Sequence, residues 1–324
     1  MIELENITKI YKVAQRQAGL ANAFKSYIKR DYKEIRALDN ISFKINEGEM
    51  VGYIGPNGAG KSTTIKIMCG ILTPNSGTCN INGFIPYKDR KKYVENIGVV
   101  FGNRSALWWD VPVEDSFELI KSIYQVPEEK YKKQKKMLIE MLNIEEIIKR
   151  PTRQLSLGQR MRCEIAAAFI HDPKIVFLDE PTIGLDSTSK IAVRNFIKEI
   201  NKEKSTTIIL TTHDTGDIAA LTKRIILIGK GKLLLDGSFN KLIKQYSSKV
   251  LNVKYKGKLK ELPLGMKILE KNDDEIKINV DENDIKLADS IVYLTEKIEI
   301  LDLEVKNTAI DDVVANLYKE YQIS

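Results

Sequence analysis

Short apolar runs recur along the first part of the chain, separated by turns and by stretches with helical spacing of apolar residues. Runs of this kind, bounded by turn residues, are typical of strands buried inside a sheet. Five have this form: Met50–Ile54, Ile97–Phe101, Lys174–Asp179, Thr206–Thr212 and Arg224–Ile228. Strands that alternate with helices predict an α/β fold around a mainly parallel sheet.

A second set of segments has the pattern of antiparallel strands. Residues 2–10 alternate between apolar and polar side chains, as in an edge strand, and Leu38–Ile45 and Thr78–Asn82 are also strand-like. Arg224–Ile228 continues through a glycine turn into Lys232–Asp236, which predicts a β-hairpin.

The segment 12–36 has the character of an insertion between two of these strands. Its Lys and Arg residues outnumber its acids, and its apolar residues fall at roughly helical spacing: Leu20, Phe24, Tyr27, Ile28 and Ile35. One interpretation is a basic amphipathic helix on a membrane surface or a partner. The other is a helix packed on its own domain with a solvated charged face.

Helical patterns dominate the region 103–158, with Asp115–Tyr124 and Glu128–Asn143 as its clearest helices. The adjacent Trp108 and Trp109 are the only tryptophans of the chain. We expect at least one of them in the core of this helical region, and the alternative is an exposed groove for a partner.

The pattern changes after about residue 245. Four strand-like and two helix-like segments predict a small α+β domain over 245–324, of ferredoxin-like type, behind a first domain over 1–240. Those segments are Val250–Tyr255, Met266–Leu269, Glu275–Val280, Lys297–Glu304, Asp284–Leu294 and Asp311–Tyr321.

Composition narrows the functional classes. The 324 residues are 43% hydrophobic, enough for a globular core, and contain no apolar run long enough for a transmembrane helix. Three scattered cysteines and two histidines argue against a disulfide framework or a zinc site. The net charge of +7 permits contact with an acidic surface but is also typical of a solvated Lys-rich one.

The clearest chemical motif is Gly55–Thr63 (GPNGAGKST), which fits G-x-x-x-x-G-K-[ST] between a strand and a helix. Such a loop points backbone N–H groups and a helix dipole at phosphate groups. Lys61 would reach the β- and γ-phosphates and Ser62 would bind Mg²⁺. We therefore expect ATP or another nucleoside triphosphate to bind with Mg²⁺.

Further candidates end strands or begin helices. Asp179 and Glu180 follow an apolar strand, where an Asp can hold Mg²⁺ and a Glu can activate water. His213 follows the Thr206–Thr212 strand, within reach of a γ-phosphate. Ser156 and Gly158 begin a strong helix, either as an anion site or as a simple N-cap. Tyr11, at the end of the first strand, suits adenine stacking or ordinary packing.

These motifs, in this order, resemble those of the ATP-binding subunit of an ABC transporter. The matching pieces cover about residues 1–240: Tyr11, Gly55–Thr63, the signature Leu155–Gln159 (LSLGQ), the Walker B run Ile175–Glu180, Gly184–Asp186 and His213. The insertion and the Leu-Trp-Trp-Asp stretch look like drug- and viologen-type exporter ATPases with separate membrane subunits. The resemblance implies a P-loop NTPase cassette with a RecA-like core, an antiparallel β subdomain and a helical subdomain.

The resemblance also implies roles. Two cassettes, identical or homologous, would close head to tail on two ATP molecules. Glu180 would be the general base, His213 and Lys61 would act on the γ-phosphate, Asp179 would hold hydrated Mg²⁺, and Asp186 would link the sites across the dimer. The residues expected to bind ATP are Tyr11, Gly55, Pro56, Asn57, Gly58, Ala59, Gly60, Lys61, Ser62, Thr63, Ser156, Gly158 and Gln159.

One position departs from the family pattern. The loop after Ile97–Phe101 usually supplies a glutamine, whereas this chain has Asn103, which is one methylene shorter. We expect Asn103 to fill that role toward Mg²⁺ with a shifted loop.

The partner implied is a polytopic membrane permease at the cytoplasmic face of the membrane, and nucleic acid is not expected. An alternative function is a soluble ATP-dependent clamp on nucleic acid or ribosomes. Such proteins usually carry two cassettes or a long coiled coil, and this chain has neither. A non-hydrolysing regulatory cassette is a third, disfavoured by the intact Lys61, Asp179, Glu180 and His213.

Overall fold

The structure is a computed structural model that describes residues 1–14, 32–102, 104–246, 248–257, 259, 261–282, 284–307 and 310–321. The chain divides into two compact units, Met1–Phe239 and a second unit from Asn240 onward.

A six-stranded sheet with strand order β5-β6-β7-β3-β8-β9 forms the centre of the first unit. All neighbours pair parallel except the edge hairpin β8–β9. The fully buried strands are Val- and Ile-rich, as a sheet covered on both faces requires. The bounds are β3 Met50–Ile54, β5 Ile97–Phe101, β6 Ile175–Asp179, β7 Thr207–Thr211, β8 Arg224–Gly229 and β9 Lys232–Ser238.

Helices connect these strands, and a last one follows β9. They are α1 Lys61–Met68, α2 Arg90–Val94, α3 Val113–Ile123, α4 Glu128–Leu142, a 3-10 turn Thr152–Gln154, α5 Leu157–Phe169, α6 Ser187–Lys204, α7 Thr215–Leu221 and α8 Phe239–Tyr246. The α/β fold class is confirmed.

A three-stranded antiparallel sheet, ordered β2-β1-β4, forms a separate layer of the first unit. Its strands are β1 Ile2–Ala14, β2 Tyr32–Ile45 and β4 Ser76–Ile81. The described ends of the 12–36 segment are therefore strands, and the helical expectation is wrong there. Ile35 pairs with Tyr11 and the Lys12 ammonium lies 3.5 Å from the Glu34 carboxylate across the hairpin. The other apolar positions of that prediction lie outside the described residues.

The tryptophan expectation is also wrong. Both tryptophans are on the surface, because Trp108 is 58% exposed and Trp109 is 54% exposed. The core beside this loop is filled instead by aliphatic and smaller aromatic side chains, such as Leu107, Phe117, Tyr131 and Leu138.

The second unit holds a four-stranded antiparallel sheet with strand order β11-β12-β10-β13. Alternate residues of β10 and β12 are buried, so the sheet has one apolar face, which packs with Leu294 and Ile298. The elements are β10 Lys249–Lys256, β11 Met266–Lys271, β12 Glu275–Val280, α9 Leu287–Lys297, β13 Glu299–Asn307 and α10 Ile310–Glu320.

Candidate nucleotide-binding site

Gly55–Thr63 joins β3 to α1 at the carboxyl edge of the parallel sheet. Two of its glycines have no room for a side chain. A Cβ on Gly55 would lie 2.2 Å from the carbonyl oxygen of Ile228. Gly60 has a φ of 111°, and its Cβ would lie 2.7 Å from the carbonyl oxygen of Ala37. The loop backbone is therefore packed against the sheet, with α1 beginning at Lys61.

Lys61 is folded back onto this loop. Its side chain is buried, and Nζ donates to the carbonyl oxygens of Gly55 at 2.6 Å and Pro56 at 3.1 Å. Burial lowers the pKa of the ammonium, while the negative charges of Glu180 and Asp179 oppose that change. The two carbonyls and the two acids hold a positive charge where phosphate groups would lie.

The two acids stand at the end of β6 and are held by a threonine of the neighbouring strand. Asp179 pairs with Thr211 in the parallel register of β6 and β7. Thr211 Oγ1 donates to Asp179 Oδ1 at 2.5 Å and accepts the Glu180 N–H at 3.1 Å. Glu180 has a φ of 56°, which is unfavourable for a residue with a Cβ and depends on such support.

His213 lies between the loop lysine and the second acid. Its Nε2 is 3.1 Å from Lys61 Nζ and 3.2 Å from Glu180 Oε1. Partial burial and the nearby Lys61 charge lower the pKa of the imidazole, against the opposing effect of Glu180 and Asp179. The contact with Glu180 is an ion pair only when His213 is protonated, and the lowered pKa favours the neutral ring.

The signature turn is stabilised within its own helix. Ser156 caps α5 by accepting the N–H of Gln159 at 3.2 Å, and Gln159 Oε1 accepts the Ser156 N–H at 3.0 Å. This capping box satisfies two helix N–H groups while leaving Ser156 exposed. Among the described residues, no hydrogen bond links Ser156 to Gly55–Thr63 of the same chain.

Gly158 on α5 lies close to Asp186, which precedes α6. A Cβ on Gly158 would lie 2.2 Å from Ser189 Oγ, so α5 and α6 approach closely at their N-termini. Asp186 caps α6, with the N–H and hydroxyl of Ser189 each donating to its carboxylate at 2.9 Å. Those hydrogen bonds lower the pKa of Asp186.

Three further residues, Tyr11, Asn103 and Ser62, are expected to contact ATP or Mg²⁺. Tyr11 lies inside the paired part of β1, so the expectation that it ends the strand is wrong, because the hairpin continues to Ala14. The Lys9 ammonium lies 5.6 Å from its ring centroid. Asn103 lies outside the described residues. Ser62 is exposed on the first turn of α1.

The donor set suits Mg²⁺. Among the residues that the structure describes, no three His, Cys, Asp or Glu side chains form a metal cluster. Mg²⁺ keeps several water ligands and takes one or two protein oxygens together with phosphate oxygens. The Ser62 hydroxyl and the Asp179 carboxylate are donors of that type, so these residues fit the ion.

Sequence reasoning missed Asp217 and the residues that bind it. Asp217 is fully buried and accepts from Arg194 Nε at 2.6 Å, from Thr212 Oγ1 at 3.0 Å and from the Thr182 hydroxyl. These contacts fasten the residues after β6 to those after β7. The only available signal was a threonine pair just before His213, and its partners depend on the strand order.

The chain is similar in sequence to known proteins. The sequence profile described as "ABC transporter" matches residues 38–183. The ABC transporter ATP-binding protein NatA of Bacillus subtilis (strain 168) is 31% identical over 227 residues, or 70% of this chain and 92% of NatA. The probable multidrug ABC transporter ATP-binding protein YbhF of Escherichia coli (strain K12) is 33% identical, but the match covers only 36% of its length and 64% of this chain.

A solved structure agrees with the fold. It is the dimeric ATP-binding cassette MJ0796 in a post-hydrolysis state, bound to ADP and Pi. Its TM-score is 0.60 at 28% identity, over 74% of this chain and 98% of the cassette.

Proposed function

The chain belongs to the family of ABC transporter ATP-binding proteins and carries its ATPase cassette, and we propose that it energises export through a separate membrane permease. The observation that carries the ATPase part of the proposal is that Lys61 Nζ and Glu180 Oε1 each lie within 3.2 Å of His213 Nε2, at one edge of the sheet. Among the described residues no helix has the length and apolarity to cross a membrane. A permease partner at the cytoplasmic face would supply the path.

In this proposal the loop N–H groups bind the phosphates of ATP, and Lys61 leaves the Gly55 and Pro56 carbonyls for the β- and γ-phosphates. Ser62 and Asp179 would hold Mg²⁺, which supplies charge neutralisation at the phosphates. Glu180 takes the proton of the attacking water, and its strained backbone is held by Thr211. Tyr11 would stack on adenine.

The contact that His213 makes depends on which of its ring nitrogens carries the proton. A neutral ring with the proton on Nδ1 accepts from Lys61, whereas a proton on Nε2 is donated to Glu180 or to a γ-phosphate oxygen. When Lys61 moves to the phosphates, Nε2 is released for that second role. Because the pKa of His213 is lowered, the ring is neutral near pH 7 and can adopt either tautomer.

The proposed site is half complete in one chain. Ser156 is exposed beside a helix N-terminus, and Gly158 and Gln159 complete that turn. In a head-to-tail pair with a second copy or a homologous cassette, they would face the γ-phosphate of the partner. Asp186, at the adjacent start of α6, would carry the link between the two sites. The dimeric ADP-bound cassette with a similar fold supports this arrangement.

Export rather than import is supported by the multidrug name of one relative. Asn103 would take the place of the family glutamine. Unchanged ATP turnover in Asn103→Ala, with transport intact, would count against that role.

Two experiments test the function. ATP hydrolysis by the purified chain should fall at least about a hundredfold in Glu180→Gln, with ATP binding kept. Exposed Glu140→Ala on α4 is the matched control and should hydrolyse as wild type. Equal rates in wild type and Glu180→Gln would remove Glu180 as the base.

Tests of the permease partner and of the direction of transport need membranes. The tagged chain should co-purify from detergent extracts with a polytopic protein that stimulates its ATPase activity. Inside-out vesicles containing both should accumulate a multidrug-type dye such as ethidium when ATP is added. ATP-driven loss of preloaded ethidium from these vesicles would contradict export.

A further inference from the structure

A buried carboxylate on the signature helix has no part in the site described above. Glu164 lies on α5 and is only 6% exposed. One carboxylate oxygen accepts the hydroxyl of Ser105, and the other accepts the N–H of Ala106 at 2.9 Å. Burial raises the pKa of Glu164 and these two hydrogen bonds oppose the rise. A carboxyl group is costly to bury without hydrogen bonds, and these two partners supply them.

The loop that Glu164 holds is fastened at its other end to the catalytic strand. Gly102 donates its N–H to the carbonyl oxygen of Asp179 at 2.9 Å. A Cβ on Gly102 would lie 3.1 Å from the carbonyl oxygens of both Asp179 and Glu180, so the contact is close. Gly102 thus contacts the end of β6, whereas Ser105 and Ala106 contact the signature helix. Between them, the Arg104 N–H donates to the Phe101 carbonyl oxygen at 3.1 Å.

The same loop continues into the exposed tryptophans, and its backbone is held there too. The Trp108 N–H donates to Ser116 Oγ at 3.0 Å, and the Trp109 carbonyl accepts the Arg153 N–H at 3.0 Å. Two large indoles are therefore displayed on the surface by a fixed backbone. Their emission reports on this loop alone, because the chain has no other tryptophan.

We propose that Glu164 is a positioning residue that makes residues 104–109 and the signature helix move as one body. The inference rests on the proposed ATPase cycle. Glu180, whose carbonyl oxygen lies beside Gly102, acts on the cassette's own ATP, while Ser156, at the start of α5, serves the partner's ATP. Through Glu164 a change at either end reaches the other, and both reach Trp108 and Trp109 at the surface.

Two substitutions of Glu164 change its hydrogen bonds with Ser105 and Ala106 in different ways. In Glu164→Gln the amide oxygen accepts the Ala106 N–H, and the amide N–H donates to Ser105 Oγ. Ser105 can then direct its own hydrogen to the Leu107 carbonyl oxygen, which is 3.1 Å away. Glu164→Ala removes both acceptors and leaves the Ala106 N–H without its partner. Ser105→Ala breaks one of the two bonds at an exposed position and should not disturb folding.

The test uses the full chain in a Glu180→Gln background, in which ATP binds without turnover. Acrylamide quenching of tryptophan emission is measured with and without ATP and Mg²⁺, and ATP affinity is measured by calorimetry. We expect ATP to change the quenching constant at least about 1.5-fold, and this response to disappear in Glu164→Ala. Ser105→Ala should reduce the response, while Glu164→Gln and the control Glu140→Ala should keep it. The ATP Kd should stay within about twofold throughout.

A steady-state measurement without the Glu180→Gln change separates coupling from binding. Glu164→Ala and Ser105→Ala should lower kcat, the former about tenfold, with little change in KM for ATP, and the double variant should be no slower than Glu164→Ala. A tryptophan response that persists in both Glu164→Ala and Ser105→Ala, or that is absent with Glu164 intact although ATP binds, would overturn the proposal. Failure of the ATPase assignment would instead appear as a wild-type chain that neither binds nor hydrolyses ATP.

Discussion

Lys61 Nζ and His213 Nε2 lie 3.1 Å apart, and the same ring nitrogen lies 3.2 Å from Glu180 Oε1. One nitrogen cannot accept a hydrogen bond from the ammonium and donate one to the carboxylate at the same time. The two contacts therefore alternate with the tautomer of His213, and the position of Lys61 decides between them. One imidazole therefore connects the loop Gly55–Thr63 to Glu180, the proposed general base.

The first prediction concerns this imidazole and pH. Because the pKa of His213 is lowered, the neutral ring persists to below pH 6.5, its ordinary value. We expect kcat/KM for ATP to be constant from about pH 7.5 to 6.5 and to fall only below that range. In His213→Gln, whose amide both accepts and donates, this acid decline should be weaker. An unchanged decline in His213→Gln would show that another group causes it.

The second prediction concerns stability in acid. His171 is buried and stacked on Tyr124 at 3.9 Å, with Nε2 at 2.9 Å from the Ile97 carbonyl oxygen. Burial lowers its pKa from 6.5 to about 4, so the folded chain binds the proton less readily than the unfolded chain. Stability is thus full above pH 6.5 and declines as the pH falls toward 4.

The expected loss from this one residue is about 3 kcal/mol in the free energy of unfolding between pH 7 and pH 4. Urea titrations at both pH values should show that wild type loses this much more than His171→Gln. That variant keeps an N–H for the Ile97 carbonyl but does not titrate. Equal losses in the two proteins would contradict the assignment.

The third prediction concerns the threonine behind the acids. Thr211→Val keeps the shape of the side chain but removes the hydroxyl that contacts Asp179 Oδ1 and the Glu180 N–H. We expect kcat for ATP to fall about tenfold or more with an ATP Kd within about threefold of wild type. Thr211→Ser should restore most of the rate. A Thr211→Val enzyme as fast as wild type would show that Asp179 and Glu180 do not need this support.

The apolar runs predicted the central strands because a buried parallel strand has little freedom in composition. The hairpin of β1 and β2 was harder to recognise, since its charged and apolar residues satisfy helical spacing as well as strand alternation. Ile35 lies opposite Tyr11 only because of tertiary pairing. The role of Thr211 likewise depends on β6 lying beside β7, which local sequence does not encode. The helical pattern around Trp108 and Trp109 predicts at least one of them in the core, whereas both are exposed.

The fourth prediction concerns the contact between α5 and α6. Gly158→Ala places a methyl group 2.2 Å from Ser189 Oγ and should lower the free energy of unfolding by about 1–3 kcal/mol. Ser189→Gly removes the obstructing side chain. Adding Gly158→Ala to Ser189→Gly should therefore cost less free energy of unfolding than adding it to wild type. Chemical denaturation of the four proteins measures it. Additive losses would mean that the two helices do not meet as described.

The fifth prediction concerns the shared site, and mixing two inactive variants tests it most directly. Lys61→Ala removes the phosphate-loop function and Ser156→Arg blocks the signature, so each variant alone should hydrolyse ATP at least about a hundredfold more slowly than wild type. When equal amounts of the two variants form head-to-tail pairs at random, half of the pairs contain one copy of each variant. Each of these pairs holds one intact site. The mixture should therefore recover about a quarter of the wild-type rate. A mixture as inactive as its components would contradict a site built from two chains.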